Sequence, residues 1–151
     1  MEIREYFALD GTGRRRIREA IRTADWRAAA YLHELLEADR LRDRYGPEAR
    51  LLLGMEGERL AAFCTLAGRD EIEDESLTPW IGFVYTFPQF RGQRRSGALI
   101  ERACAIAVSE GFQQVFVSTN EIGLYEKYGF AFLRTDRDAW GGQTRVYRRR
   151  L

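Results

Sequence analysis

The sequence predicts an α/β fold with a mixed, mostly antiparallel sheet and helices on both faces of that sheet. Residues 14–38 carry apolar positions at helical spacing, and the middle of the chain changes to short strand-like runs bounded by turn residues. A strand–helix–strand unit at residues 80–119 requires a parallel pair of strands with a right-handed crossover. The 151 residues suit one domain, spanning 1–151, with a hydrophobic core of ordinary size.

Two helices are predicted near the start of the chain, over residues 14–24 and 25–38. Each segment places its apolar side chains on one helical face. Asp25 stands where a side-chain N-cap would begin the second helix. The Gly46-Pro47 pair ends this helical part of the sequence.

The next segments predict a hairpin and an acidic connection. RLLLGM (50–55) and RLAAFCTLA (59–67) are typical of two strands that turn at Gly57. The acidic stretch RDEIEDES (69–76) is either a solvated loop or one wall of a substrate site that attracts an amine. The sequence leaves both interpretations open.

The second half of the chain predicts the remaining elements of the sheet. TPWIGFVYTFP (78–88) is rich in aromatic and β-branched residues and is expected to form a central strand. The further predictions are a helix over 96–110, a strand over 112–119, a short helix over 120–129 and two closing strands around Gly141-Gly142. The predicted element order is therefore α-α-β-β-β-α-β-α-β-β.

Composition and charge exclude several classes of protein. The net charge is +1, so no overall positive field attracts nucleic acid. No apolar run is long enough to span a membrane, and the start MEIREYFALD lacks a secretory signal pattern, so we expect a cytoplasmic protein. Cys64 and Cys104 are expected to be reduced core thiols. Together with His33 they supply too few ligands for a metal site.

The segment RGQRRSG (91–97) stands between the central strand and the following helix. Helix N-termini expose unbonded amides and a partial positive charge, so a strand–loop–helix junction of this kind suits a phosphate group. The loop offers two glycines for close backbone approach, a serine hydroxyl at the predicted N-cap, and three guanidinium groups. These are Gly92, Gly97, Ser96, Arg91, Arg94 and Arg95. A pyrophosphate fits this set because it can accept several hydrogen bonds at once.

Two longer motifs give this junction a context. FVYTFPQFRGQRRSGALIERA, followed by STNEIGLYEKYGF, resembles the GNAT superfamily of N-acetyltransferases. In that family a [Q/R]-x-x-G-x-[G/A] loop binds acetyl-CoA. Here Arg91 matches its first position, whereas Arg94 and Ser96 replace its two small residues. The segments PQFRG (88–92) and LYEKYGF (124–130) match further motifs of the family.

The resemblance implies how acetyl-CoA, the co-substrate, would be bound. The central strand of the family separates from its neighbour, and its free backbone groups, here those of Val84 and Thr86, hold the pantetheine arm. The amide of Val84 or Tyr85 would polarise the thioester carbonyl. Backbone amides across the loop would hold the pyrophosphate. The implied acetyl-CoA-binding residues are Val84, Tyr85, Thr86, Arg91, Gly92, Gln93, Arg94, Arg95, Ser96 and Gly97.

The resemblance also implies a catalytic tyrosine. Tyr125 aligns with the general acid that protonates the departing CoA thiolate, and Tyr128 is its local competitor. The general base is not assigned. It could be a water chain or one of four carboxylates, namely Glu73, Asp74, Glu75 and Glu121. The expected acceptor is a primary amine of a small molecule or a peptide, and a homodimer is compatible with the sequence.

The aromatic residues of the central strand are Trp80, Phe83, Tyr85 and Phe87. Because successive side chains of a strand alternate, we expect these residues to divide between the two faces of the sheet. Most would belong to the core, and one or two would line an acceptor pocket that Trp26 and Trp140 could close.

Two alternatives to an enzyme remain at this stage. A non-catalytic acyl-CoA-binding or regulatory domain would explain the imperfect loop and the unassigned base. A nucleic-acid module built on the arginines would need a basic helix face, which the sequence does not provide.

Overall fold

The computed structural model describes residues 1–151 and contains one seven-stranded sheet. The strands are β1 (Glu2–Glu5), β2 (Arg50–Glu56), β3 (Arg59–Ala67), β4 (Trp80–Thr86), β5 (Gln114–Thr119), β6 (Ala131–Arg137) and β7 (Gln143–Arg150). They lie in the order β1-β2-β3-β4-β5-β7-β6, and only β4 and β5 pair in parallel. The predicted mixed, mostly antiparallel sheet is therefore confirmed.

Four α-helices accompany the sheet: α1 (Gly11–Arg22), α2 (Arg27–Glu37), α3 (Leu41–Tyr45) and α4 (Arg95–Ser109). Helix α1 begins three residues before its predicted start because the Asp10 carboxylate accepts a hydrogen bond of 2.7 Å from the Gly13 amide. The predicted N-cap at Asp25 is wrong. Trp26 holds the cap position of α2, and its side chain makes no capping hydrogen bond.

Helices cover both faces of the sheet, as predicted. Side chains of α1 and α2, including Ile21 and Leu32, pack with Leu51 and Phe63 on one face. On the other face α4 packs over β3, β4 and β5 and buries both free cysteines. None of the helices is long and apolar enough to cross a membrane. The sheet is thus enclosed around β3 and β4, which places the middle of β4 at the centre of the molecule.

The sequence-based element order differs from the structure in three places. The four-residue strand β1 and the five-residue helix α3 were not predicted, because neither is long enough to show a period. The predicted helix over 120–129 is wrong. The chain forms only a 3-10 turn at Tyr125–Tyr128, since Gly123 adopts a φ of +91° that an α-helix does not tolerate.

Candidate active site

Strands β4 and β5 diverge in the middle of the sheet. They pair in register only at Trp80 and Phe116, where the Phe116 amide donates to the Pro79 carbonyl over 3.0 Å. Beyond this point no ladder joins the two strands. The edge of β4 that faces β5 therefore opens into a cleft, and its backbone groups lack a strand partner.

A β-bulge lies in β4 beside the cleft. Phe63 of β3 pairs with Tyr85, but Thr65 pairs with Gly82, so Phe83 and Val84 stand opposite a single residue. Phe83 has a φ of +48°, a left-handed conformation that is rare for a bulky side chain. Backbone strain of this kind is concentrated at functional sites.

The bulge corrects the predicted alternation of the aromatic residues. Ile81 and Val84 both pack on the α4 side, so Trp80 and Tyr85 share the opposite face. Phe83 joins Tyr85 and Phe87 there, and its ring meets Tyr45 edge-on at 5.7 Å. The extra residue shifts the register by one, so Phe83, Tyr85 and the following Phe87 pack on the side of α1 and α2, whereas Trp80 packs with Phe116 in a separate cluster.

The backbone of β4 presents hydrogen-bonding groups to the cleft. The Phe87 amide donates to the Ala61 carbonyl of β3 over 2.9 Å. Because amides alternate in direction along a regular strand, the Tyr85 amide also faces β3, and that of Thr86 faces the cleft. The Thr86 carbonyl also faces the cleft, since it accepts a hydrogen bond from Arg91 Nε at 2.9 Å.

The loop between β4 and α4 leaves a row of amides without acceptors. None of the amides from Gly92 to Gly97 donates a hydrogen bond to another protein group. Helix α4 begins at Arg95, and the cap position is held by Arg94, which has a φ of +58° and no side-chain cap bond. The positive end of the α4 dipole is therefore unscreened and open to an anion.

The predicted N-cap at Ser96 is wrong. The left-handed turn at Arg94 starts the helix one residue earlier, so Ser96 is the second residue of α4. Its hydroxyl lies 2.6 Å from the Thr86 hydroxyl and ties the end of β4 to the helix. The first turn of α4 thus keeps its amides free.

The three arginines of the loop have different environments. Arg95 bonds Glu56 at 2.9 Å and the Phe90 carbonyl at 2.9 Å, so its guanidinium holds the loop in place. Arg91 donates to the end of β4, and its guanidinium lies 5.5 Å from the Tyr85 ring centre. The Arg94 side chain is exposed and makes neither a hydrogen bond nor an ion pair. Only Arg94 has its whole guanidinium available to a ligand.

Tyr125 closes the cleft from the other side. Its ring is buried and meets Phe130 edge-on at 5.9 Å, while its hydroxyl makes no hydrogen bond with the protein. Burial raises the pKa of the Tyr125 phenol, and the neighbouring Cys64 and Glu121 add to this effect. The phenol therefore stays protonated and is available as a hydrogen-bond donor.

These features surround one cavity of about 1030 Å³. Nine of the eleven site residues predicted from the sequence line it: Val84, Tyr85, Thr86, Arg91, Gly92, Arg94, Arg95, Ser96 and Tyr125. Gln93 of the loop and Gly97 of the first turn of α4 do not line the cavity. The structure thus gathers residues from β4, the loop and the 3-10 turn around a single space.

The side of the cavity next to α2 is aromatic and acidic. Trp26 stacks on Tyr85 with ring centres 5.4 Å apart and an interplanar angle of 10°. Asp25, before α2, adds a carboxylate to this side, and Glu121, which follows β5, adds one near Tyr125. Trp140 does not line the cavity. Its exposed ring packs edge-on against Tyr31 at 5.4 Å.

A comparison with protein families gives a match over most of the chain. Residues 17–130 match the model of the acetyltransferase (GNAT) family. The chain belongs to this family. The resemblance noted in the sequence is therefore confirmed. No curated protein matches the sequence.

Solved structures of other acetyltransferases share the fold of this GNAT chain at low sequence identity. An aminoglycoside 6'-acetyltransferase type Ii is 14% identical over 99% of this chain and 97% of its own, with a TM-score of 0.75. An aminoglycoside 6'-N-acetyltransferase complexed with coenzyme A is 12% identical over 99% and 97%, with a TM-score of 0.71. A GNAT acetyltransferase from Elizabethkingia anophelis with acetyl-CoA bound is 17% identical over 78% and 87%, with a TM-score of 0.60.

The four carboxylates that the sequence offers as general base lie in different parts of the structure. Glu121 lines the cavity, whereas Glu73 and Glu75 are exposed outside it. Asp74 bonds Ser76 and, at 2.8 Å, Arg134, and these contacts lower its pKa to about 2. A carboxylate held in this way binds a proton poorly.

The sequence-based search missed one acidic residue of the same stretch. An oxygen of the Asp70 carboxylate lies only 3.0 Å from the point where a Cβ on Gly82 would stand. Gly82 lines the cavity next to the bulge. The acidic stretch is therefore more than a solvated loop, since it also buries Ile72 and pairs Glu71 with Arg44. The only signal in the sequence was the acidic composition of the stretch, which did not single out Asp70.

Gly97 provides a test of the packing at the start of α4. A Cβ at this position would stand 2.9 Å from Tyr128 Cε1, so the ring would have to move. We expect Gly97→Ala to lower the free energy of unfolding by about 1–2 kcal/mol, measured by urea denaturation. The control is Gly11→Ala, where no atom lies within 4 Å and no loss is expected. Equal stability of the two variants would contradict this account of the packing.

Proposed function

We propose that this GNAT protein transfers the acetyl group of acetyl-CoA to a primary amine of a small molecule or a peptide by direct attack. One observation carries the proposal. The open edge of β4, the unbonded amides of residues 92–97 and the unbonded Tyr125 hydroxyl surround the same cavity. The strand edge suits an extended arm that contains amides, and the loop amides suit a pyrophosphate. The Tyr125 hydroxyl suits a departing thiolate.

The co-substrate would lie along the cleft between β4 and β5. Its pyrophosphate would accept hydrogen bonds from the loop amides, assisted by Arg94 and by the α4 dipole. Its pantetheine arm would bond backbone groups of Val84 and Thr86. The Thr86 carbonyl already holds Arg91, so the arm would take over this bond and release the guanidinium. The acetyl-CoA and CoA complexes among the structural neighbours support this choice of co-substrate.

The acceptor would enter from the side of α2. Asp25 and Glu121 attract a cation, and the stacked Trp26 and Tyr85 rings offer it a π-face. An ammonium group fits this side better than a hydroxyl or a carboxylate does. The aminoglycoside acetyltransferases among the structural neighbours are named for small-molecule amine substrates, which supports the same class here.

The chemistry would need little more than positioned hydrogen bonds. The Val84 amide, at the bulge beside the cleft, would stabilise the negative charge on the thioester oxygen, as in an oxyanion hole. The Tyr125 hydroxyl would donate to the sulfur as the C–S bond breaks. Phe83, held in its left-handed conformation, fixes the direction of the neighbouring Val84 amide.

Two measurements test the proposal. Calorimetry should detect CoA binding at sub-millimolar concentration, and thiol release from acetyl-CoA should be stimulated by at least one member of a panel of aminoglycosides, streptothricin-type amines, polyamines and peptides. Binding without thiol release for any amine would favour the non-catalytic alternative. Absence of CoA binding would overturn both the acetyltransferase and the non-catalytic acyl-CoA-binding alternative.

A substitution of Arg94 tests which of the loop arginines binds the ligand. We expect Arg94→Ala to weaken CoA binding about tenfold, or about 1.4 kcal/mol, because a charge-assisted bond to phosphate is lost. Arg102→Ala, at an exposed position of α4 outside the cavity, is the control and should leave the affinity unchanged. If calorimetry at fixed salt shows an unchanged affinity for CoA in Arg94→Ala, phosphate binding would be assigned to Arg91 instead.

A further inference from the structure

The carboxyl group of Asp70 lies against Gly82, which lines the cavity, although Asp70 is distant in the sequence from the motifs of the family. One of its oxygens lies 3.0 Å from the point where a Cβ on Gly82 would stand, so the glycine leaves this space open, and the Thr65 hydroxyl borders the same space at 3.1 Å. Gly82 is paired with Thr65 directly before the bulge. Asp70 therefore stands beside the start of the bulge formed by Phe83 and Val84.

The position of Asp70 is fixed by its backbone. On one side the Arg69 amide donates to the Tyr45 carbonyl over 3.0 Å. On the other side the Glu71 carbonyl accepts from the Ala139 amide over 2.7 Å, and the Glu71 carboxylate bonds the Tyr45 hydroxyl. The loop is thus attached to α3 and to the β6–β7 turn, so the Asp70 carboxylate is held at the acceptor side of the sheet.

Asp70 itself remains free of an ion pair or a hydrogen bond to a neighbouring side chain. Arg44 of α3, the nearest cation, is bonded to Glu71 instead. Burial raises the pKa of the Asp70 carboxyl to about 7, the charge of Glu71 adds to this, and the Glu71 amide and Arg44 oppose it. Across the cavity, Asp70 contributes to the raised pKa of Tyr125.

We propose that Asp70 is the general base that takes a proton from the acceptor ammonium, directly or through one water, which adds a residue to the proposed acetyl transfer and rests on it. The neutral amine then attacks the thioester carbon, a C–N bond forms and the C–S bond breaks. Two protons leave the nitrogen. One passes through Asp70 to solvent, and the other ends on the CoA sulfur, with Tyr125 donating and being reprotonated.

The test compares wild type, Asp70→Asn and Asp43→Asn, the last changing an exposed aspartate of α3 that has no partner. Thiol release is measured with the most active amine of the panel from about pH 5.5 to about pH 9. We expect Asp70→Asn to lower kcat about 100-fold, to leave the Kd of CoA within about twofold, and to abolish the rise of kcat/KM around pH 7. Asp43→Asn should follow wild type throughout.

The outcomes distinguish this proposal from the proposed function. An active wild type with an equally active Asp70→Asn variant would overturn the role of Asp70 alone. A wild type that releases no thiol with any amine would overturn both. As a measurement independent of turnover and of the variant's folding, carboxyl ¹³C NMR of wild type should show one aspartate titrating near pH 7. Its absence would also overturn the proposal.

Discussion

Replacing Tyr125 by phenylalanine is expected to lower kcat about 100-fold while the affinity for CoA stays nearly unchanged. The ring remains in its pocket against Phe130, so the packing is kept and only the hydroxyl is lost. That hydroxyl makes no bond to the protein, so its removal affects only a ligand. The measurement is thiol release under saturating acetyl-CoA, together with calorimetry of CoA binding.

Two further variants are compared with Tyr125→Phe, one as a control and one at the competing tyrosine. Tyr6→Phe removes a buried hydroxyl that bonds Arg18 far from the cavity, and it should leave kcat unchanged. Tyr128→Phe changes the competing tyrosine of the same turn. A loss of turnover in Tyr128→Phe with none in Tyr125→Phe would move the donor role to Tyr128. A tenfold loss of CoA affinity with unchanged kcat would show that Tyr125 serves binding only.

The stability of Asp70→Asn is expected to exceed that of wild type increasingly as the pH rises. The folded pKa of Asp70, about 7, lies above the ordinary aspartate value of about 3.9, so the folded state binds the extra proton between these values. The free energy of unfolding of wild type therefore falls as pH rises through this window. The variant lacks this penalty, so its advantage should grow by about 2.6 kcal/mol from about pH 5 to about pH 8.

Urea denaturation of wild type, Asp70→Asn and Asp43→Asn at both pH values measures this difference. The exposed Asp43 should give a difference close to zero at each pH, since its surroundings resemble those of the unfolded chain. A gap between wild type and Asp70→Asn that does not depend on pH would show that Asp70 is not buried as a proton-binding group.

Much of the fold could be predicted because its signals are local. The hairpin of β2 and β3 was predicted with the observed strand β3, and the predicted boundaries of α4 are within one residue of the observed ones. Apolar period, turn residues and glycine stops act over a few neighbours in the chain, so they can be read directly. Where local signals were short or contradictory, as at β1 and around Gly123, the prediction failed.

The sequence by itself determined the family, the strand–loop–helix junction and the residues that surround the cavity, because all of these are encoded in contiguous motifs. Only the tertiary structure decided how the residues are used. Arg95 is bound by Glu56, Arg94 is free, and Asp70 lies against Gly82. These contacts join residues that are far apart in the chain, and no periodicity or spacing along a sequence specifies which distant side chains will meet.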